Sequence, residues 1–300
     1  MRVAVVGATG MIGGAVSRAL LARGDEVVAV SRRGQAGVDG AEDVRWDPAE
    51  GPPPGAALEA DAVVNVAGSK TADLLPWTAA RKRELRESRV RTTRLLVDAL
   101  AGGDRPHTLI NASGADYYGP REEPTAESAR PGSSFLAAVA VAWEREAVRA
   151  EDRGVRVVRL RTGVPLSPDG GALPQLALPV RLFAGGPIGG GRQWLPWIHI
   201  DDQVGLNLLA LDDDRLSGPV NAASPGIVRQ GEFTRALGRV LGRPTLLPTP
   251  GIALRLALGE KATLALDSRH IVPRAALDAG YAFRFTEAEP ALRDLLGGAG

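Results

Sequence analysis

Cysteine is absent from this chain, which excludes disulfide bonds, thiolate nucleophiles and cysteine metal ligands. The three histidines, at 107, 199 and 270, are too scattered to suggest a metal cluster, so we expect no metal site. No apolar run reaches the roughly 18 residues that a membrane-spanning helix needs. The N-terminus enters a strand pattern at once, without the features of a secretion signal, and we therefore expect a cytoplasmic protein.

An excess of charge is also lacking. The 300 residues include 36 basic and 35 acidic side chains, which gives a formal net charge of +1. This balance argues against a protein that binds polyanions through a general basic surface. We expect a small-molecule substrate as the partner, and neither nucleic acid nor a membrane. The sequence leaves the oligomeric state open, with a homodimer as one option.

Short apolar runs alternate with helical patterns over the first 160 residues. Strands are predicted over 2–6, 26–31, 44–46, 61–67, 108–112 and 155–160. Helices are predicted over 11–23, 78–100 and 135–152. This alternation predicts an α/β fold with a parallel, doubly wound sheet and right-handed crossovers.

The pattern changes after residue 165, where glycines cluster at 185–191. Shorter helices are predicted near 202–211, 231–241, 252–258 and 287–296. We therefore expect two parts: a nucleotide-binding domain over 1–165, and a smaller α/β substrate lobe over 166–300. Segments near 195–225 are expected to return to the first domain.

The first predicted strand ends in a glycine-rich turn. Gly7, Gly10 and Gly13 form a G-x-x-G-x-x-G pattern directly before a helix, and Thr9 could add a hydroxyl group. A tight turn and a close approach of the backbone to a pyrophosphate both require missing side chains. The helix N-terminus supplies free N–H groups and the positive end of its dipole. Between a strand and a helix, this turn predicts a Rossmann-type fold that binds a dinucleotide.

The end of the second predicted strand indicates which dinucleotide. NAD-specific folds place an acidic residue there to accept a hydrogen bond from the ribose 2′-OH, whereas arginine accommodates a 2′-phosphate. This chain has Ser31, Arg32 and Arg33 at that place. A solvated pair of surface arginines is the alternative interpretation, but the missing carboxylate favours NADP(H) as the cofactor.

Longer segments carry a family resemblance. They are GATGMIG (7–13), NVAG (65–68), SRVRTTRLL (88–96), SGADYYG (113–119), FLAAVAVAWE (135–144), LRTGVPLSPDGG (160–171), GGPIGGGRQWLPWIHIDD (185–202), EFTRALGRVLGRP (232–244) and VPRAALDAGYAF (272–283). With them the chain resembles the extended short-chain dehydrogenases/reductases. It is most similar to their atypical subgroup of NAD-dependent epimerase/dehydratase-like "epimerase family" proteins. The resemblance spans essentially the whole chain.

The resemblance implies a set of cofactor contacts. Ser31 and Arg32 would hold the 2′-phosphate. The glycine turn, together with Met11 and Ile12, would also contact the cofactor. The remaining implied contacts are Val66, Ala67, Gly68, Glu84, Arg89, Thr162, Gly163 and Pro165. Glu84 and Arg89 can equally be an ordinary charged helix face.

The catalytic pair of the superfamily is missing. Its ordinary members use Tyr-x-x-x-Lys, in which the tyrosine acts as acid and base and the lysine lowers its pKa. None of the three tyrosines here is followed four residues later by lysine. By position, Phe135 takes the tyrosine's place and Val139 the lysine's, and neither can transfer a proton. We interpret Phe135, Leu136 and Val139 as packing residues.

The remaining catalytic candidates follow the fifth predicted strand, where parallel sheets bind ligands. They are Ser113, Tyr117 and Tyr118, which could donate a hydrogen bond or a proton to a carbonyl oxygen. Gly114 is an alternative match to the serine of the superfamily. A purely structural tyrosine pair is an alternative for Tyr117 and Tyr118.

The segment WLPWIHIDD departs from the pattern of the nucleotide-sugar epimerases. The resemblance to those enzymes would place an arginine that binds the diphosphate where this chain has Leu195. Arg192, three residues earlier, is the alternative ligand for a diphosphate. Because the arginine is missing at 195, a nucleotide-diphosphate sugar is a less favoured substrate. We interpret His199 as a structural residue, and Asp201 and Asp202 as N-caps of the next helix. A small hydrophobic pocket or an interface core between the lobes is predicted from Leu173, Leu182, Phe183, Trp194 and Trp197.

These observations favour an NADP(H)-dependent oxidoreductase acting on a small, fairly apolar carbonyl or alcohol compound. One alternative is an epimerase- or dehydratase-like enzyme that retains its cofactor. The other is a non-catalytic NADP(H)-binding sensor, which the loss of the Tyr-x-x-x-Lys pair would suit.

Overall fold

The computed structural model describes residues 1–72, 77–100 and 107–297. Its strands are β1 (Arg2–Val6), β2 (Glu26–Ser31), β3 (Glu42–Arg45), β4 (Ala62–Asn65), β5 (Thr108–Gly114), β6 (Arg121–Thr125), β7 (Arg156–Thr162), β8 (Val164–Ser167), β9 (Gly170–Gly171), β10 (Trp194–Leu195), β11 (Trp197–His199), β12 (Gly218–Ala222), β13 (Val228–Arg229) and β14 (Arg269–Ile271). Its helices are α1 (Met11–Ala22), α2 (Gly55–Leu58), α3 (Ala79–Ala99), α4 (Phe135–Val148), α5 (Ala172–Arg181), α6 (Ile200–Asp212), α7 (Gln230–Leu241), α8 (Gly251–Leu258), α9 (Thr263–Leu266), α10 (Arg274–Asp278) and α11 (Ala288–Leu296). Within the described residues, no helix is long and apolar enough to cross a bilayer.

Seven parallel strands form the central sheet, in the order β12-β7-β5-β4-β1-β2-β3. The order reverses beside β1, so the chain winds outward in both directions from the first strand. This is the doubly wound parallel sheet that the alternation of strands and helices predicts, and that prediction is confirmed.

Helices cover both faces of the sheet. In β1, Val3 and Val5 pack in one core with α1, α6 and α10, while Ala4 and Val6 pack in a second core with α2, α3 and α4. Both faces of the strand are therefore buried, which explains its unbroken apolar sequence.

A third core belongs to the C-terminal part of the chain. Helices α5, α7 and α11 pack with β8 and β11 around Leu173, Trp197 and Phe233. The chain also returns to the main sheet, because β12 pairs with β7 and α6 packs beside α1.

The predicted hydrophobic pocket between the lobes is wrong as a set. Leu173 and Trp197 are fully buried in the third core, whereas Leu182 and Phe183 are 67% and 57% exposed. Trp194 packs elsewhere, with its ring 4.4 Å from that of His270. The five residues resemble one another in hydrophobicity but occupy different environments.

The predicted N-caps of α6 are also wrong. The N-cap is His199, whose Nδ1 accepts a hydrogen bond from the N–H of Asp201 at 3.0 Å. The helix thus begins before Asp201 and Asp202, which lie in its first turn. Asp202 is buried and accepts hydrogen bonds from the N–H groups of Arg284 and Phe285, so it anchors the C-terminal segment instead. His199 itself stacks on Phe285, with 3.9 Å between ring centroids, in agreement with a structural role.

Candidate functional site

The glycine turn after β1 lies against the end of β4. Gly7 has φ +92°, and a Cβ atom on it would lie 2.9 Å from the backbone nitrogen of Ala67. A Cβ on Gly13 would lie 2.3 Å from the carbonyl oxygen of Gly7. A side chain at position 7 would therefore push the turn away from the end of β4, and one at position 13 would push α1 away from the turn.

Gly10 has a different role in the same turn. It is the N-cap of α1, and a Cβ there would meet only the Gly7 oxygen, at 3.2 Å. Thr9 and Gly10 are exposed, while Met11 and Ile12 are half-buried. The first N–H groups of a helix have no acceptor within the helix, so Met11, Ile12 and Gly13 can offer theirs to an anion in front of the turn.

The end of β2 carries a buried polar atom without a partner. Ser31 is 5% exposed, and its hydroxyl makes no hydrogen bond to any residue that the structure describes. Arg32 and Arg33, directly after it, are exposed. Buried polar groups are nearly always paired, so an unpaired hydroxyl beside two guanidinium groups indicates a place for a polar, anionic group.

The loop after β4 is held by α3. Arg89 donates to the carbonyl oxygens of Ser69 and Leu85, at 3.0 and 2.9 Å. Glu84 accepts from the Ser69 hydroxyl at 2.8 Å. Burial lowers the pKa of Arg89 to about 10, which still leaves it protonated at neutral pH. In this structure Glu84 and Arg89 thus position the loop that contains Gly68, while Val66 and Ala67 lie half-buried beside the glycine turn.

The end of β7 approaches the β10–β11 connection closely. A Cβ on Gly163 would lie 2.0 Å from the carbonyl oxygen of Pro196, so only glycine fits there. Thr162 and Pro165 flank this contact and are half-buried. The close packing fixes the chain at the carboxyl end of the sheet.

A buried ionic network lies between β5, β7 and α4. The Glu144 carboxylate accepts from Arg161 Nε at 2.7 Å and Nη2 at 2.8 Å, and from the Ser113 hydroxyl at 2.7 Å. Arg161 also donates to the Tyr118 hydroxyl at 2.8 Å, and that hydroxyl donates to Asn221 Oδ1 at 2.7 Å. Burial opposes the charge of Arg161, but its bonds to Glu144 raise its pKa above the ordinary value.

This network uses two of the three predicted catalytic groups. Ser113 is 5% exposed and already donates its proton to Glu144. Tyr118 is inaccessible to solvent, and burial raises its pKa to about 12 against the opposing effect of Arg161. Tyr117 is half-buried, with its ring 3.5 Å from the guanidinium carbon of Arg161. The geometry thus places all three residues around one arginine, and leaves only Tyr117 partly accessible.

The place of the missing tyrosine is filled by packing. Phe135 opens α4 and meets the Trp77 ring edge-on at 5.6 Å, and Val139 is buried. The Lys82 amine lies 4.9 Å from the Phe135 ring and forms an ion pair with Glu260. Phe135 and Val139 are therefore packing residues, as predicted, but a cation that we did not predict lies beside them.

Sequence reasoning missed Glu144 and Arg161, because Glu144 follows nine apolar residues of α4 and Arg161 lies on a separate element. A signal was present: Glu144 lies on the buried face of α4, and two arginines, Arg159 and Arg161, lie on one face of β7, an interior strand of the sheet. Arg192, the alternative phosphate ligand, lines a cavity of about 550 Å³ with Arg229 and Arg235.

Comparisons with known proteins agree with this fold and with its nucleotide-binding turn. Residues 3–223 match the NAD dependent epimerase/dehydratase family, and residues 249–295 match a domain of unknown function, DUF1731. The bovine "Epimerase family protein SDR39U1" is 37% identical over 304 residues, which cover 99% of this chain and 100% of the relative.

Two solved structures are also similar. The human epimerase family protein SDR39U1 (isoform 2), crystallised with NADPH, superimposes with a TM-score of 0.90 and 34% identity, covering 99% of both chains. The nucleoside-diphosphate sugar epimerase from Corynebacterium glutamicum has a TM-score of 0.80 and 33% identity, covering 99% of this chain and 58% of that one.

Proposed function

Because the chain belongs to the NAD dependent epimerase/dehydratase family, we propose that it binds NADP(H) and uses it to oxidise or reduce a small, fairly apolar alcohol or carbonyl compound. The observation that carries the cofactor assignment is the buried, unpaired Ser31 hydroxyl beside Arg32 and Arg33. The NADPH in the crystal structure of the human relative supports the same assignment.

The residues at this edge of the sheet fit such a cofactor. The N–H groups of Met11, Ile12 and Gly13 would face the pyrophosphate, and the missing side chain of Gly10 leaves room for it. Ser31 and Arg32 would bind the 2′-phosphate through charge-assisted hydrogen bonds, with Arg33 adding positive potential. NADP(H), when bound, supplies or accepts the hydride.

The substrate side would depend on the protein's own donors. Tyr117 is the best placed of the three candidates, because its ring is partly accessible and Arg161 keeps a positive charge beside it. A hydroxyl in that field can donate a hydrogen bond to an oxygen that gains negative charge. Ser113 can contribute in the same way only when its hydroxyl turns away from Glu144.

The test is turnover of wild type and of Ser113→Ala/Tyr117→Phe with NADPH and a panel of small carbonyl compounds. We expect kcat of the double variant to fall about 100-fold, the usual size of such donor effects. Tyr281→Phe is the matched control. It also removes a tyrosine hydroxyl, but one that donates to Asp202 and lies outside the network, so it should keep wild-type kcat. Equal kcat in wild type and double variant would refute the assignment of these donors.

A second function has one observation in its favour. The hydroxyls of Ser113 and Tyr118 are both used inside the protein, which suits a binding protein that senses NADP(H) without converting a substrate. Tight NADPH binding without turnover on the whole carbonyl and alcohol panel would favour this sensor over the oxidoreductase.

A further inference from the structure

One surface of the C-terminal part exposes an unusual amount of hydrophobic side chain. Leu246, Ile252 and Leu256 are 81%, 74% and 84% exposed. We use the name apolar–cationic face for the surface formed by Leu182, Phe183, Leu246, Leu247, Ile252 and Leu256, with the arginines between them. Single exposed apolar residues are normal on proteins, but a cluster of six marks an interaction site.

The face is continuous, although its residues come from three segments. The N–H of Leu247 donates to the carbonyl oxygen of Gly185 at 3.1 Å, and that of Gly189 donates to Thr249 at 2.9 Å. The guanidinium carbon of Arg243 lies 4.7 Å from the Phe183 ring. These contacts join the end of α5, the segment 246–247 and the start of α8 into one surface.

Helix α8 has no side chain buried in the protein. Its sequence is GIALRLAL, and none of these eight residues, all of which the structure describes, is buried. A helix that is apolar on all sides normally lies in a core or in a membrane. Here Leu254 is half-buried, whereas Ile252, Leu256 and Leu258 are exposed, so most of its large apolar side chains are available to an external apolar phase.

The backbone of Phe183 gives a second, independent indication. It has φ +59°, and it is the one non-glycine residue with positive φ among the described residues. The position follows the C-terminus of α5, where glycine is the favoured residue because a side chain is strained there. A large, 57% exposed aromatic ring at a strained position points to a function for the ring itself.

Charge identifies the occupant. Residues 181–189 and 243–259, which form the face, contain three arginines and no aspartate or glutamate, in a chain with almost equal numbers of acidic and basic residues. Arg181, Arg243 and Arg255 are exposed within the apolar–cationic face. A second copy of the chain would bring these like charges together, whereas an anionic partner would pair with them.

We propose that the apolar–cationic face docks on the surface of an anionic lipid bilayer. Apolar side chains on a helix, with arginines as the only charges, are the combination by which a helix lies in the headgroup region. All six apolar side chains of the face are more than half exposed, so lipid can reach each of them. The expectation of no membrane partner rested on the lack of a spanning segment and on the balanced total charge. Docking requires no spanning segment, and it depends on the charge of this face, which is positive, and not on the total. The proposal is independent of the cofactor and of catalysis.

Flotation of the full chain with lipid vesicles tests this. We expect binding to phosphatidylcholine vesicles that contain phosphatidylglycerol, weak binding to phosphatidylcholine alone, and weakening by salt. Phe183→Gly and Leu256→Ser should each lower the partition coefficient about tenfold, since each removes a large buried contact with lipid. Arg243→Glu/Arg255→Glu should remove the preference for the anionic vesicles.

The controls separate docking from folding. Phe183→Gly should unfold at the same or a higher temperature than wild type, because it relieves the strained φ. Leu277→Ser alters an exposed leucine on α10, outside the face, and should bind vesicles as wild type does. Failure of the wild type to float with anionic vesicles would overturn the proposal. So would a wild-type dimer in sedimentation that Phe183→Gly converts to a monomer, since the second copy would then be the occupant.

Discussion

The turn after β1 and the ends of β5 and β7 lie on the same sheet, but they are built in opposite ways. The turn depends on missing side chains: the glycines at 7 and 13 allow the backbone to pack closely, and Gly10 leaves space. The β5–β7 region depends on side chains that satisfy one another, with Glu144 and Arg161 at the centre.

The two regions also differ in whether their buried hydroxyl groups have hydrogen-bond partners. At the turn and the end of β2, the Ser31 hydroxyl is buried without a partner among the described residues. In the network, Ser113 and Tyr118 are fully engaged. An unpaired buried hydroxyl beside two exposed arginines indicates where an anionic ligand completes the structure, whereas the bonds of Glu144 to Arg161 and Ser113 stabilise the fold without one. This contrast supports binding of NADP(H) more strongly than conversion of a substrate, so catalysis is the property that most needs an experiment.

The largest effect is expected in the network. Glu144→Ala leaves the Arg161 guanidinium buried without its carboxylate, so the free energy of unfolding should fall by about 3–5 kcal/mol. Urea denaturation measures it. The matched control is Glu50→Ala, which removes the exposed partner of Arg45 and should leave the free energy of unfolding almost unchanged. Similar losses in both variants would mean that the network does not stabilise the fold.

A smaller effect, but one on binding, is expected at the turn. Leucine at position 10 would fill the space in front of α1, so Gly10→Leu should raise the Kd for NADPH at least about 100-fold, or about 2.7 kcal/mol. Isothermal titration calorimetry measures it. Gly55→Leu, at the start of α2, is the control, because a Cβ there meets only the Glu59 side chain at 3.6 Å. Unchanged affinity in Gly10→Leu would place the cofactor elsewhere.

Much of the fold follows from the sequence because its signals are local. The apolar run that ends in Gly7 and the helical spacing after it predict β1 and α1 within a residue or so. Helix α5 was not predicted, since it follows two glycines and contains Pro179, which is rare inside helices. The return of β12 to the sheet rests on pairing with β7, more than 50 residues earlier, and the predicted return of 195–225 located it only coarsely.

The site divides in the same way. The phosphate-binding turn is a local pattern, and Ser31–Arg33 can be read from its position at the end of a strand. The network is not local: Glu144 follows the apolar first part of α4, and its partner Arg161 lies on a strand 17 residues later. Only the packed structure shows that Glu144 and Arg161 meet. It also shows that Ser113, predicted from the sequence to donate to a substrate, donates to Glu144.

The most direct test of the central claim compares the affinities of wild type for NADPH and NADH. The account predicts that NADPH binds at least about tenfold more tightly, since the 2′-phosphate gains charge-assisted hydrogen bonds from Ser31 and Arg32. Ser31→Ala/Arg32→Ala should lose this preference and keep the affinity for NADH. Equal affinities of wild type for NADPH and NADH would contradict the account.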